Sequence, residues 1–293
     1  MDSFDKSAVS GAGPAWPWLL LRPYDNLRSY LRLLWHRAQR RGTVYPSWLA
    51  WTALALGLIV PVANIVDPLF GAHRTEVDPT ALRVAIAINE IGSSKWMYAV
   101  LSAAILLALF LNWRRPGRRR LLRRHAWTVS AIYALTAIAT QEILVTVLKQ
   151  LFGRARPNLF ETVGPFHVEP WSFTYDFTSF PSGHAATIGC AAACVALLFP
   201  RYRVVAALAA IWIGFSRVVI GAHYPSDVVA GLMFGAWVAY ATAFFFARFG
   251  VLFVTRPGRA PAPPPHIRAA LALVRRSRPP TPRRAPIARE RSA

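Results

Sequence analysis

Cysteine and acidic residues are scarce in this sequence of 293 residues, and each scarcity limits what the chain can be. The only two cysteines, Cys190 and Cys194, are four positions apart in one apolar run, so they would lie on the same face of one helix. That geometry and the lack of further ligands disfavour both a disulfide and a metal site, so we interpret them as small packing residues. The 13 acidic residues face 34 Lys and Arg, and the formal net charge of +21 raises the question of nucleic-acid binding.

A cleavable secretory signal is also missing from the start of the chain. Residues 1–6 contain two Asp and show no basic start followed by an apolar core. We therefore expect the first apolar run to stay in the protein as an uncleaved membrane anchor.

Apolar residues, in contrast, are abundant. They make up 55% of the chain, and the mean hydropathy is +0.33, which is not typical of a soluble protein. Apolar runs near the length that crosses a bilayer recur six times. They lie at about 48–66, 96–113, 127–148, 183–199, 204–222 and 227–247. The pattern predicts an all-α polytopic membrane protein built as one six-transmembrane-helix bundle.

The distribution of charge predicts the orientation of this bundle. With a cytoplasmic N-terminus and six alternating spans, 27 of the 34 Lys and Arg fall on the inside, and most acidic residues fall on the outside. Membrane topology therefore accounts for most of the basic charge. We predict anionic lipids at the cytoplasmic face as partners, both termini in the cytoplasm, and no nucleic acid.

Two basic segments flank the predicted membrane domain, which covers 48–247. Residues 1–47 carry aromatic residues and Leu at helix-like spacing, which predicts an amphipathic helix on the inner leaflet; a solvated arm is the alternative. Residues 248–293 are rich in Pro, Ala and Arg, and we predict a disordered cytoplasmic tail with at most a short surface helix at 266–276.

Polar side chains collect at the predicted outer ends of the spans. An ionisable group beside a span is costly unless it is paired or functional. Pro181 and Ser182 suit the first turn of a helix, where N–H groups and the helix dipole attract phosphate-like anions. Arg and Lys side chains bind phosphate oxygens. The clusters are Lys149 with Arg156 and Pro157, the stretch from Pro181 to His184, and Arg217 with His223 and Asp227.

Each of these residues, taken alone, has a simpler interpretation. Arg156 and Arg217 could extend to lipid headgroups. His184 could be a satisfied histidine at a helix end, and His223 a loop histidine. Their convergence at one side of the membrane is what favours a pocket for a phosphoryl group.

Two further charged residues lie close to the first cluster. Arg154 is interpreted as a loop or headgroup contact outside the catalytic set. Glu142 lies two turns before Lys149 on the same helix face, which predicts a structural pair inside the bundle or a supporting role near the site.

The three clusters resemble the three-part signature of the type 2 phosphatidic acid phosphatase superfamily, which contains membrane lipid phosphatases and vanadium haloperoxidases. The matching motifs are Lys149-x6-Arg156-Pro157, Pro181-Ser-Gly-His184 and Ser216-Arg217-x5-His223-x3-Asp227. The motifs span residues 149–227, and the six-span layout extends the resemblance over 48–247. The resemblance implies a six-helix core and a metal-independent phosphatase, without a cofactor, whose histidine is transiently phosphorylated.

The resemblance also implies a role for each matching residue. His223 would be the nucleophile, Asp227 would accept the other ring N–H, and His184 would protonate the leaving oxygen and then activate water. The phosphate-binding residues would be Lys149, Arg156, Ser182, Gly183 and Arg217.

The predicted function is therefore hydrolysis of a lipid phosphomonoester or diphosphate at the periplasmic face of a bacterial inner membrane. Candidate substrates are undecaprenyl diphosphate, phosphatidylglycerol phosphate, phosphatidic acid and lipid A phosphate. A lipid phosphotransferase with the same phosphohistidine is the alternative within this chemistry. A scaffold or transporter that binds anionic lipid is the non-enzymatic alternative, but it leaves His223 and Asp227 unexplained.

Overall fold

Long apolar helices dominate the protein, as the apolar runs predict. This computed structural model describes residues 24, 28, 48–73, 77–111, 117–256 and 259–272. The predicted arm at 1–47 lies outside these residues except for positions 24 and 28, and so does the end of the predicted tail, 273–293. The helices are α1 (Trp48–His73, with a π-helical segment at Val62–Val66), α2 (Pro79–Ile91), α3 (Ser94–Phe110), α4 (Arg118–Phe152), α5 (Phe160–Val163), α6 (Gly183–Leu198), α7 (Arg203–Val219), α8 (Pro225–Phe249) and α9 (Pro265–Leu271).

The helical membrane fold agrees with the predicted class. Five helical stretches in the described residues are long and apolar enough to cross a membrane: α1, α2 with α3, α4, the stretch Pro200–Val219, and α8. The sixth predicted span corresponds to α6, which has only 16 residues. Six predicted spans thus become five long segments and one shorter helix.

The segment between the first two predicted apolar runs, residues 67–95, is helical for most of its length. α1 continues to His73, and α2 fills Pro79–Ile91. Asp78 caps α2, because its Oδ2 accepts hydrogen bonds from the backbone N–H groups of Thr80 and Ala81 at 2.8 and 2.9 Å. Asp78 and Pro79 therefore mark the start of α2, which forms although the residues around them are polar.

The centre of the bundle is the contact between α6 and α8. Gly189, Gly231 and Gly235 let the two backbones approach: a Cβ at Gly235 would lie 1.9 Å from Ala186 O, and one at Gly189 would lie 2.3 Å from Leu232 O. Small residues at a membrane helix interface allow such close packing. Both helices begin at the same end of the bundle, so the close contact fixes their first turns relative to each other.

The outer faces of the bundle are strongly apolar. Leu49 on α1 is 86% exposed, and Trp212 on α7 is 65% exposed. Exposed apolar side chains on these helices are expected of surfaces that face lipid.

The prediction of disorder after residue 247 is wrong for the described part of the tail. Strands β1 (Val254–Arg256) and β2 (Arg259–Ala262) pair antiparallel, and α9 follows them. The Phe253 ring lies 4.8 Å from the buried Tyr133 ring of α4, and Ile267 and Leu271 of α9 are buried. Phe253, Ile267 and Leu271 therefore anchor the segment to the bundle, a contact that the Pro- and Arg-rich composition does not reveal.

Candidate active site

The first motif lies where α4 ends and a long loop begins. α4 ends at Gly153, which has φ +56, and a Cβ there would lie 2.0 Å from Glu169 O. Glycine is therefore required both for the left-handed conformation and for the close approach of the loop. The loop is held in place by backbone hydrogen bonds from Ala155 N to His167 O and from Arg156 N to Asp176 O.

The cations of the first motif point toward the other two motifs. Lys149 Nζ donates to Thr178 O at 2.8 Å, and Arg156 Nη1 donates to Ala222 O at 3.0 Å, directly before His223. The Arg156 guanidinium also lies over the Tyr175 ring, 3.9 Å from its centroid. Burial lowers the pKa of Arg156 from its ordinary value, although the nearby Tyr175, Asp227 and Asp176 oppose this shift.

The second motif forms the start of α6. The helix begins at Gly183, so Pro181 lies before it and Ser182 occupies the N-cap position, one step later than the predicted helix start. Ser182 N donates to Asp227 O at 3.0 Å, which joins the second motif to the third. The Ser182 hydroxyl is fully buried and has no hydrogen-bond partner among the described residues, so it is available to a bound ligand.

Gly183 and His184 occupy the first turn of α6. A Cβ at Gly183 would lie 3.8 Å from Lys149 Cε, which places the first and second motifs side by side. His184 is half-buried, and a Cβ at Gly92 would lie 3.5 Å from its Cδ2. The break between α2 and α3 therefore packs next to His184.

In the third motif His223 faces Asp227. His223 is 2% exposed, and its Nδ1 lies 3.6 Å from Asp227 Oδ2. The same Asp227 oxygen accepts hydrogen bonds from Ser179 Oγ at 2.5 Å and from Tyr224 N at 3.0 Å. Burial lowers the pKa of His223 from 6.5 to about 3 despite the Asp227 carboxylate, so the free imidazole is neutral near pH 7.

Arg217 enters the site from the end of α7. Its Nη1 donates to Asn89 Oδ1 at 2.6 Å, and its buried Nε has no partner within the described part of the chain. Asn89 belongs to α2, which lies between the first two predicted apolar runs, so its contact with Arg217 was missed. A contact between residues 128 positions apart has no sequence signal.

Arg154 is not the surface contact that the sequence suggested. It is only 7% exposed, and it donates to Asp227 Oδ1 at 2.6 Å and to Asp67 Oδ2 at 2.8 Å. Burial disfavours the charged guanidinium, but Asp227 and Asp67 outweigh this effect and raise the pKa of Arg154. Ser179 and Asp67 were missed as well, since neither belongs to a motif.

Glu142 forms structural contacts inside the bundle, but its partners are on α3 and do not include Lys149. Its carboxylate accepts hydrogen bonds from Ser94 Oγ at 3.0 Å and from Tyr98 Oη at 2.5 Å, both on α3. Lys149 instead turns toward the loop carbonyl of Thr178. Glu142 therefore fastens α4 to α3.

An apolar cavity of about 320 Å³ lies beside the second motif, between α1, α4 and α8. Apolar side chains and the ring of Pro181 form much of its wall. They include Trp51, Leu148, Phe152, Phe180, Pro181 and Trp237. The polar cluster of the three motifs thus adjoins a space suited to hydrocarbon.

Comparison with known proteins places these motifs in a family. Residues 130–250 match the PAP2 superfamily. The chain is 35% identical over 240 residues to a lipid A 1-phosphatase of Rhizobium johnstonii, covering 79% of this chain and 95% of the relative. It is 39% identical over 218 residues to a lipid A 1-phosphatase of Rhizobium etli, covering 72% and 90%. A crystal structure of a PAP2 type phosphatidylglycerolphosphate phosphatase from Bacillus subtilis matches 80% of this chain and 98% of that protein, with 18% identity and a TM-score of 0.42.

Proposed function

This chain belongs to the PAP2 superfamily and is a membrane lipid phosphatase, and we propose that it removes the 1-phosphate of lipid A. One observation carries the choice of substrate. Both lipid A 1-phosphatases are similar to this chain over nearly their whole length, 95% and 90%. The similarity therefore includes the regions outside the three motifs, where headgroup preference is set.

The nucleophile in this proposal is His223. Its Nδ1 is the ring nitrogen near Asp227, so Nε2 attacks phosphorus and Nδ1 keeps its proton toward the carboxylate. The P–N bond forms as the bond from phosphorus to the lipid oxygen breaks. Asp227 stabilises the cationic phosphohistidine, which is why a buried carboxylate next to a neutral imidazole favours this chemistry.

His184 carries the protons in this scheme. It donates a proton to the departing lipid oxygen, and in the second step it takes a proton from the water that attacks phosphorus. The P–N bond then breaks, inorganic phosphate leaves, and His223 returns to its neutral form. The half-buried position of His184 at the start of α6 suits a group that must meet both lipid and water.

The phosphoryl oxygens are held by cations and by the start of α6. Lys149, Arg156 and Arg217 supply positive charge, and the hydroxyl of Ser182 and the N–H of Gly183 supply hydrogen bonds. Donors fixed before the reaction stabilise charge on the transferring group without reorganisation. Ser182 Oγ and Arg217 Nε are buried and have no hydrogen-bond partner among the described residues, which supports this assignment.

The apolar cavity beside Pro181 supports a substrate with hydrocarbon chains. An acyl chain in this space would lie in the groove between α1, α4 and α8 while its headgroup reaches the motifs. The proposed orientation in a bacterial inner membrane, with the site toward the periplasm, is supported by the Arg-rich start of α4 at the opposite end.

Purified protein in detergent tests the proposal directly. We expect release of phosphate from position 1 of lipid A, seen by mass spectrometry, and slower release from phosphatidylglycerol phosphate and undecaprenyl diphosphate. The activity should persist in EDTA and be inhibited by vanadate, which resembles five-coordinate phosphorus. His223→Ala should abolish turnover, whereas the matched variant His266→Ala on the exposed face of α9 should keep it.

Two results would count against parts of this proposal. Faster turnover of another headgroup would overturn the substrate, and normal turnover by His223→Ala would overturn the nucleophile. Phosphate release that requires an added acceptor lipid would favour the phosphotransferase alternative, because hydrolysis needs only water.

A further inference from the structure

Arg154 lies between two buried carboxylates that come from different helices. Its Nη1 donates to Asp227 Oδ1 on α8, and its Nη2 donates to Asp67 Oδ2 on α1. Both carboxylates are fully buried. Arg154 is therefore a bridge between the first helix and the carboxylate behind His223.

All five N–H groups of this guanidinium have acceptors. Besides the two carboxylates, Nη1 donates to Ser226 Oγ at 2.7 Å, and Nε and Nη2 donate to Pro165 O at 3.0 and 2.9 Å. The Tyr224 ring packs against the guanidinium, 4.5 Å from Cζ. Because every N–H group is hydrogen-bonded and one face is packed, the guanidinium is held in a single orientation. It therefore also fixes the orientation of the carboxylates that it binds.

Asp67 also binds the first turn of α8 directly. Its Oδ1 accepts a hydrogen bond from Ser226 N at 3.0 Å, and its Oδ2 accepts one from the Ser226 hydroxyl. Asp67 is thus attached both to the start of the helix that carries Asp227 and to the guanidinium that binds Asp227.

The charges explain why the second carboxylate matters for the reaction. Arg154 paired with Asp227 alone would neutralise the charge that His223 needs when it becomes a cation. Asp67 binds the other side of the guanidinium, so the group of three keeps one net negative charge next to His223. Inside a protein such a charge acts strongly because little solvent screens it.

We propose that Asp67, acting through Arg154, is a positioning residue for phosphoryl transfer, and that it keeps the Asp227 carboxylate oriented and charged behind His223. This inference rests on the proposed function, in which Asp227 supports the nucleophile. Asp67 lies outside the 130–250 range that matches the family, so α1 contributes to the site although the motifs do not reach it.

The test compares kcat and KM of variants on the lipid phosphate that the wild-type protein hydrolyses fastest. Removing an outer partner that orients a catalytic group commonly costs about 10- to 100-fold, so we expect that loss in kcat for Asp67→Asn. KM should change by less than about twofold, because the phosphate-binding residues are untouched. Asp67→Glu should recover part of the kcat, and the exposed control Glu90→Gln should match wild type.

A double-mutant cycle separates positioning from folding. If Asp67 acts through Arg154, Asp67→Asn with Arg154→Gln should lose about as much kcat as Arg154→Gln alone. Each kcat is divided by the folded fraction of the variant, which is measured by size exclusion and thermal unfolding in detergent. The inference would be overturned if the double variant lost the product of the two single losses in kcat. A wild-type kcat per folded molecule of Asp67→Asn would overturn it as well.

Two further variants keep the outcome decisive. If Asp67→Asn does not fold, Ser226→Ala is the alternative variant. It keeps the charges of Asp67, Arg154 and Asp227 and removes the hydroxyl that hydrogen-bonds to Arg154 and Asp67. This variant should lower kcat by about threefold to tenfold with KM unchanged. An unchanged kcat for that variant would overturn the inference. An active His223→Ala would instead overturn the proposed function, whatever the result for Asp67.

Discussion

At the residue scale, the state of His223 is set by where it is buried. The imidazole is 2% exposed, and the charged form is disfavoured although Asp227 lies nearby. The pKa of about 3 keeps the ring neutral near pH 7. The proposed nucleophile therefore needs to lose no proton to solvent before it attacks.

This burial makes folding sensitive to acid. Between the unfolded pKa near 6.5 and the folded pKa of about 3, the unfolded chain binds a proton that the folded chain does not. His223 therefore contributes stability that is fully present above pH 6.5 and lost as pH falls toward 3. The loss is at most about 1.4 kcal/mol per pH unit.

Thermal unfolding in detergent at pH 7, 6, 5 and 4 checks this expectation. The wild-type protein should lose more stability across that series than His223→Gln, in which the titrating group is absent. Parallel curves for the two proteins would contradict the assigned pKa of His223.

The sequence predicts residues of this kind only where a motif contains them. Local spacing places His223 and Asp227 close together, and the family resemblance names all eight predicted site residues, whose catalytic roles stay predictions. Asn89 and Asp67 approach the site from helices that are distant in sequence. The residues next to them in the sequence give no sign of these contacts. Arg154 sits between two motif residues, yet its partners became visible only with the fold.

At the element scale, the contact of α6 with α8 determines the site. Ser182 and His184 begin one helix and Asp227 lies in the first turn of the other, so the distance between the helices sets the distance between the predicted site residues. Gly235 makes that distance possible, because any Cβ there would meet Ala186 O at 1.9 Å.

We expect Gly235→Ala to separate the two helices. Overpacking of a tight interior commonly costs about 1–3 kcal/mol, and the shift should also reduce kcat. Gly57→Ala is the matched control, since a Cβ there meets nothing within 4 Å and alanine favours a helix. Unfolding temperature and turnover measured for both variants would show the difference; equal behaviour would contradict the close contact.

Helices could be predicted from apolar runs, but their ends could not. Runs of apolar residues locate the spans, whereas Asp78 extends the helical region through a cap that composition does not reveal. Likewise, the segment after residue 247 contains many Pro and Arg residues, and its packing on the bundle follows from Phe253, Ile267 and Leu271, which composition does not reveal.

At the scale of the whole molecule, the proposed orientation assigns opposite sides of the membrane to the two ends of the bundle. Thr174 lies exposed in the loop that surrounds the site, and Arg201 lies exposed between α6 and α7 at the other end. Positive charge on the cytoplasmic side predicts which end faces outward.

Single cysteines test this orientation in a Cys190→Ala/Cys194→Ala protein. In spheroplasts, a maleimide that cannot cross membranes should label Thr174→Cys at once, and Arg201→Cys only after permeabilisation. The reverse order would place the site on the cytoplasmic side.

The contact between α6 and α8 also constrains how a protein with this architecture can change. Where two backbones touch, not even a methyl group can be added, so this helix contact cannot be reshaped one substitution at a time. Under the proposed function, we expect a new headgroup preference to arise more easily in the exposed part of the 153–182 loop and at the junction of α2 with α3. Engineering a different substrate should therefore begin with libraries at those positions and leave the helix pair unchanged.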